Sequence, residues 1–282
     1  MKTAHGNPNF LWRGSLGLVV SGVLLLRAFA PPFLHAQVAA GLTPALINQT
    51  FKPGQPFDLE LTVTNGRDTP VQMRGVVMDW WYDEANQKVF GPAGSLPHSA
   101  SNWIEFVPRQ FLVPANGAYR VKLVVTPPAT TAGGYYSAAF LESKPELAQA
   151  ATAERKAIFT NVRLGCLLML SAENTEEYKI VASEAQLLTP QANRNLRLDF
   201  TLDNQSNAHI FPRVELALLN AAHELIGKAQ GETKRFLPQQ KQRMAITWGG
   251  LLEPGNYTAI LTIVYGNDRI FSQEFPFTSG TD

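Results

Sequence analysis

Clustered carboxylates are the first place to look for chemistry, and Asp79, Asp83 and Glu84 form the tightest group of interest in this chain. Two carboxylates converging across a cleft would serve glycoside hydrolysis, and several oxygen ligands on one loop would hold calcium. The surrounding run Trp80-Trp81-Tyr82-Asp83-Glu84-Ala85-Asn86-Gln87 reads instead as a strand entering a hairpin turn. Asp and Asn favour such turns because their side chains bond to nearby backbone. No glycine stands between Asp79 and Asn86 to make the sharp bend of a calcium loop. Turn chemistry is the expectation for all three acids.

The other reactive residue types point the same way. Cys166 is the single cysteine, so no intramolecular disulfide can form, and its run Leu164-Gly165-Cys166-Leu167-Leu168-Met169-Leu170 is apolar. A buried, inert thiol is expected, because a nucleophilic thiolate needs a basic partner and none of His98, His209 and His223 lies beside it. Those histidines lack metal-ligand spacing. No nucleophile elbow, phosphate loop or dinucleotide fingerprint occurs. Trp80, Trp81, Trp103 and Trp248 offer flat faces of the kind that stack on sugars. Trp80 and Trp81 are neighbours in a strand, however, so they point to opposite faces and one of them is expected in a core. Tyr136 and Tyr257 follow glycines at strand starts, where sandwich folds place a corner tyrosine that bonds to a loop backbone. The chain is expected to be no enzyme and to need no cofactor or metal.

The elements that position these residues are strands, and the chain states them twice. Phe57-Asp-Leu-Glu-Leu-Thr-Val-Thr-Asn65 is echoed by Leu196-Arg-Leu-Asp-Phe-Thr-Leu-Asp-Asn204, with apolar and polar residues alternating in the same phase. Phe111-Leu112-Val113-Pro114 returns as Phe236-Leu237-Pro238, and Gly134-Tyr135-Tyr136 as Gly255-Asn256-Tyr257. Strands are predicted over 45–51, 57–64, 71–82, 102–108, 119–126, 135–142 and 158–169, then over 177–182, 196–203, 213–220, 224–228, 242–247, 255–264 and 270–278. Seven strands at such spacing fit an immunoglobulin-like sandwich. The fold class is therefore all-β, two tandem immunoglobulin-like β-sandwich domains over 37–171 and 172–282. Residues 145–156 read as a long loop with a helical turn. Pro276, which cannot donate to a ladder, places the last strand on an edge.

Composition narrows the partner. The 282 residues carry 24 Lys and Arg against 23 Asp and Glu, and this balance gives no footprint for nucleic acid. At the N-terminus, Lys2 and Arg13 precede an apolar stretch from Leu16 to Leu26, and Leu34-His35-Ala36 closes the segment. That is the plan of a secretory signal peptide over 1–36, followed by an exported protein in the periplasm or at the cell surface. An apolar stretch of about 11 residues covers only about 16 Å as a helix, short of the roughly 30 Å hydrocarbon core, so the mature form is not expected to span a membrane.

Several motifs taken together suggest a family. They are Lys52-Pro53-Gly54-Gln55, Leu59-Glu60-Leu61-Thr62-Val63-Thr64-Asn65, Ala100-Ser101-Asn102-Trp103-Ile104, Pro108-Arg109-Gln110-Phe111-Leu112-Val113-Pro114, and Thr126-Pro127-Pro128 followed by Gly134-Tyr135-Tyr136. In this order they resemble the first domain of PapD-like periplasmic pilus-assembly chaperones, and also the Ig-like domain of WxL-interacting surface proteins. The chaperone resemblance implies a partner polypeptide whose terminal carboxylate is anchored in the inter-domain cleft by a first-strand arginine and a last-strand lysine. Arg163 is the match for that lysine, and the first strand, 43–51, carries no arginine. Ile158, Thr160, Val162 and Leu164 alternate along the last strand. They suit a donor strand that completes a partner's sheet, and equally the filling of their own core. The resulting expectation is a non-enzymatic exported protein that binds a pilin-like or surface protein. The alternative is a cell-surface structural or adhesive module, such as one that binds cell-wall glycan. The exported form should begin near Gln37, and mass spectrometry of its N-terminus checks this; an intact N-terminus in the membrane fraction would refute it.

Overall fold

Alternating apolar and polar residues between Gly, Pro and Asn turns specify strands, and strands are what form. The computed structural model describes residues 40–149, 158–190 and 195–280, with 146–149 and 158–160 by backbone alone. The apolar segment 16–26 and the expected cleavage point after Ala36 lie outside the described residues. The first half holds β1 (Ala40–Thr43), β2 (Leu46–Phe51), β3 (Phe57–Asn65), β4 (Val71–Tyr82), β5 (Lys88–Gly91), β6 (Ile104–Val107), β7 (Gln110–Val113), β8 (Gly117–Val125), β9 (Gly134–Ser143), β10 (Glu146–Gln149), β11 (Ile158–Thr160) and β12 (Arg163–Ala172). The second half holds β13 (Ile180–Leu188), β14 (Leu196–Asn204), β15 (Arg213–Asn220), β16 (Leu225–Gln230), β17 (Lys241–Trp248), β18 (Gly255–Tyr265) and β19 (Arg269–Ser279).

These strands make two immunoglobulin-like sandwiches. In the first, the sheet β1-β3-β8-β6 faces the sheet β2-β12-β9-β4-β5, with β7 paired to the start of β4. In the second, β13-β14-β17 faces β16-β15-β18-β19. Leu59, Leu61 and Val63 of β3, with Val121 and Leu123 of β8, meet Met73, Leu141, Leu168 and Leu170 in the first core. Leu198, Phe200 and Leu202 meet Leu216, Leu218 and Leu261 in the second. Residues Val38–Asp282 nonetheless form one compact unit. β19 lies at a sheet edge, as the missing N–H of Pro276 requires.

Several segments depart from expectation: β1, β5 and β7 fall where no strand is predicted, the single strand expected over 158–169 divides at 161–162 into β11 and β12, and one loop becomes a strand. Residues 146–149, read from sequence as a loop with a helical turn, form β10, which pairs with β11 in the register Glu146↔Thr160. The physical reason is continuity: the β9–β12 ladder runs to Arg163↔Glu142, and Ser143 N–H donates to Val162 O at 2.9 Å, so the hairpin carries on in nearly the same register. Intrinsic helix propensity over a short window is a weak prior against a ladder already under way. The remainder of that segment, 150–157, lies outside the described residues.

The sequence repeat has a polar cause as well as an apolar one. Asn65 ends β3 fully enclosed, its amide donating to Thr69 O at 2.8 Å and Pro114 O at 3.0 Å while its Oδ1 accepts from Arg67 N at 3.0 Å. Asn204 ends β14 in the same way, donating to Ala208 O at 3.0 Å and Phe236 O at 3.2 Å and accepting from Ser206 N at 3.0 Å. Each asparagine therefore ties its own turn to the Phe-Leu-Pro segment of its half, which is why both motifs recur together. Asn65→Ala and Asn204→Ala should each cost about 2–4 kcal/mol, because buried carbonyls and an N–H lose their partners. Denaturant unfolding measures this, and a loss under about 0.5 kcal/mol would contradict it.

Candidate functional site

Strand alternation gives the sheet β2-β12-β9-β4-β5 two faces, and both are largely apolar. Leu164, Cys166, Leu168 and Leu170 of β12 face the first core. Gly165, Leu167 and Met169 lie on the opposite face, where the register sets Gly165 beside Phe140, Leu167 beside Ala138 and Met169 beside Tyr136. On β4 the same face continues with Val76, Met78 and Trp80, opposite Phe140 and Ala138. It begins at a charged row, Arg74, Glu142 and Arg163, and ends at Trp80 and Tyr136.

Among the described residues, the second sandwich meets this face at its Trp80 end. Trp80 is fully buried, with its Nε1 donating to Leu168 O at 3.3 Å, and it clusters with Tyr136, Met169 and Leu237 of the second sandwich. Trp80 therefore enters a core between sandwiches rather than that of its own, and Trp81 is half-buried against Gly91. Polar bonds lock the same junction. Asn86 Oδ1 accepts from Gln240 Nε2 at 3.0 Å, Gly134 N–H donates to Asn207 O at 2.9 Å, and His209 Nε2 lies 2.9 Å from Asn48 Oδ1. Tyr136, expected as a corner tyrosine, spends its hydroxyl on His209 Nδ1 at 3.4 Å instead. Its neighbour Tyr135 takes the local role by accepting from Ala132 N–H at 3.3 Å. Tyr257 behaves as expected, donating to Glu253 O at 2.8 Å.

At the other end, among the described residues, the face is only partly covered, with Phe140 buried beneath Arg163 and Phe90. Val76, Met78, Leu167 and Leu46 are half-buried around the cluster and Phe90 is exposed. Beside them runs an unpaired strand edge. β2 starts its parallel pairing only at Leu167↔Leu46, so 163–166 have β9 on one side and no strand on the other among the described residues. β11 likewise pairs with β10 alone.

The residues singled out from sequence fall around this edge. Val162 and Leu164 are half-buried against the first core. Ile158 and Thr160 stand in β11 opposite Gln149 and Glu146, their side chains outside the described set. The Arg163 guanidinium lies 3.9 Å above the Phe140 ring, touches Met78 Sδ, and pairs with Glu142 Oε1 at 3.1 Å. Glu142 is shared with Arg74, at 3.0 Å through Oε2. Arg163 is thus at the free end of the face. The pocket between the sandwiches, about 260 Å³, is lined by Asn48, Thr50, Ser171, His209, Tyr178 and Phe211 among others, and β2 and β12 bring it no basic side chain.

The groups that sequence raised as catalytic candidates are committed elsewhere. Asp79 is fully buried and accepts from Ser99 Oγ at 2.6 Å, Ser101 Oγ at 2.5 Å, Ser95 Oγ at 3.2 Å and Leu96 N at 3.0 Å. It holds the 92–101 loop, a role the hairpin reading missed because the serines lie some 20 residues away. Asp83 does act in the turn, accepting from Gln87 N at 2.8 Å. Burial pushes the Cys166 thiol up to about 12, which keeps it protonated and inert. No group of three or more metal-binding side chains occurs among the described residues, nor does any helix there long and apolar enough to cross a membrane. Arg235 and His209, which the junction assembles, carried no motif that sequence reading could use.

Gly165 is the position on which the open end depends. A Cβ there would fall 2.6 Å from Phe140 Cε1, so any side chain must displace the ring on which Arg163 stacks. Gly165→Val should lower stability by about 1–3 kcal/mol through overpacking, measurable by thermal and denaturant melting. An unchanged midpoint would show that the ring gives way freely.

No family model matches the sequence, and no curated protein matches it. The chain is similar to solved structures of fimbrial chaperones. One comes from a study of a chaperone–tip adhesin complex in CFA/I fimbriae biogenesis, at 11% identity and a TM-score of 0.49, covering 83% of this chain and 97% of that chain. Another is the class 5 fimbriae chaperone CfaA, at 11% identity and a TM-score of 0.47, covering 86% and 99%. A third is the E. coli chaperone DraB, at 13% identity and a TM-score of 0.40, covering 84% and 95%. At such identities and TM-scores these likenesses say nothing of what this chain binds.

Proposed function

We propose that this chain is a non-enzymatic, exported protein that binds an extended polypeptide along the open edge at β11 and the start of β12 and on the apolar face beside it. The observation that carries the reading is the sheet with two apolar faces, packed on the second sandwich at Trp80 and left half-buried at Val76, Met78 and Leu167 towards Arg163. An unpaired edge offers main-chain hydrogen bonds to an added strand, and alternating apolar positions next to it offer side-chain selectivity. The family resemblance carried by the motifs from Lys52-Pro53-Gly54-Gln55 to Gly134-Tyr135-Tyr136 implies the same class of partner, a pilin-like or surface protein.

Arg163 would serve as the polar anchor of that site. Glu142 keeps Arg74 if Arg163 turns to a partner's carboxylate, so the exchange need not strand a charge. A bidentate guanidinium–carboxylate pair at a partly desolvated rim is worth roughly 2 kcal/mol or more of binding. Arg163→Ala should therefore weaken capture about 30-fold while shifting stability by no more than about 1 kcal/mol, since the Arg163 side chain is 40% exposed. Val76→Glu should abolish capture by placing a charge on the apolar face, and Leu112→Glu, at an exposed site on β7, should leave it unchanged. Calorimetry with the partner co-purified from the cell envelope reads all three. Equal affinity in Arg163→Ala would remove the anchor from the proposal, and equal affinity in Val76→Glu would remove the face.

A further inference from the structure

Among the described residues, His209 is the imidazole enclosed in the junction between the sandwiches, only 8% exposed. With Asn48 Oδ1 as the acceptor, the 2.9 Å contact assigns the proton to Nε2. Nδ1 is then the acceptor that faces the Tyr136 hydroxyl at 3.4 Å. The ring also meets Tyr136 and Phe211 edge-on, at 5.8 and 5.6 Å between centroids. Every contact suits a neutral imidazole. Protonation at Nδ1 would turn that acceptor into a donor, so the Tyr136 hydroxyl would have to turn its proton away and accept instead.

The charges around the ring reinforce this. Arg235 stands 5.9 Å from the Trp80 ring centroid, and its Nε is buried without a hydrogen-bond partner. A second cation beside it would be unfavourable. Glu176, Arg213 and Asp268 share the pocket next to His209, along with the tyrosines Tyr178 and Tyr265. Asp268 is 87% exposed and paired with Arg213, and Glu176 accepts from Thr175 N–H, so neither acid is committed to the imidazole. Burial first and Arg235 second hold His209 down at about 4, against its ordinary 6.5.

We propose that this junction is an acid-released latch: uptake of a proton by His209 loosens the contact between the sandwiches and uncovers Trp80, Tyr136 and Met169, extending the apolar face. The sign follows from linkage. The closed junction disfavours the proton and the open one, with the imidazole back in water, accepts it at the ordinary value. The latch is then fully closed above about pH 6.5 and weakens as pH falls towards 4. Opening should become about 10-fold more favourable by pH 5.5 and about 100-fold by pH 4.

Hydrogen–deuterium exchange of the full chain between pH 7 and 5, corrected for the intrinsic pH dependence of exchange, tests this. Protection of segments 134–138 and 207–211 should fall as the medium is acidified, while core segments 121–125 and 259–263 hold. His209→Gln should remove the pH dependence. Arg235→Gln, which takes away the neighbouring charge and leaves the imidazole, should make it shallower, and it serves as the test should the first variant fail to fold. The same acid loss in His209→Gln, an undiminished slope in Arg235→Gln, or a loss shared equally by both cores would overturn the latch.

Discussion

A sheet that is apolar on both faces needs cover beyond its own sandwich, and that constraint organises the rest of this molecule. One face of β2-β12-β9-β4-β5 packs into its own sandwich through Leu141, Leu168 and Leu170. The other cannot be left wholly in water, since burying large aromatic and aliphatic side chains contributes more than any surface interaction in the chain. Leu237 and its neighbours take the Trp80 end, and the two sandwiches become one unit as a result. What remains open is bounded by Arg74, Glu142 and Arg163, whose charges keep the exposed end hydrated.

Polar groups define where the apolar layers stop. Asn65 and Asn204 each satisfy carbonyls that would otherwise be buried without donors, and Asp79 gathers three serine hydroxyls and a backbone N–H around one loop. Buried polar groups of this kind fix geometry because leaving any one unpaired costs more than a typical contact yields. They also account for the residues that look reactive in the sequence: their chemistry is consumed in holding turns and loops.

The junction combines both principles. Its apolar part, Trp80 with Met169 and Leu237, is indifferent to pH, whereas its polar part contains a histidine placed among groups that favour the neutral ring. Packing therefore holds the joint shut while the ring is neutral, and a single side chain gives it its sensitivity to conditions. The half-buried apolar face and the joint share β9 and β12, so a change at one is mechanically close to the other.

Local period-two alternation and turn chemistry made most strands legible, because both are encoded within a few residues. The pairing of Asn turns with Phe-Leu-Pro segments was visible as a repeat, and the edge position of β19 followed from Pro276 alone. The β10 segment was misread because a short Ala- and Glu-rich window carries little information about a ladder that starts elsewhere. Alternation says that Trp80 and Trp81 point apart, but it does not say what waits on either side. Only tertiary structure could seat Trp80 under Leu237, turn Tyr136 from its own loop to His209, bring serines to Asp79, and set Arg163 on Phe140 at the far end of its strand from the inter-sandwich pocket. Those choices rest on contacts between residues distant in the chain, where burial and unpaired polar groups decide and local sequence pattern has no reach.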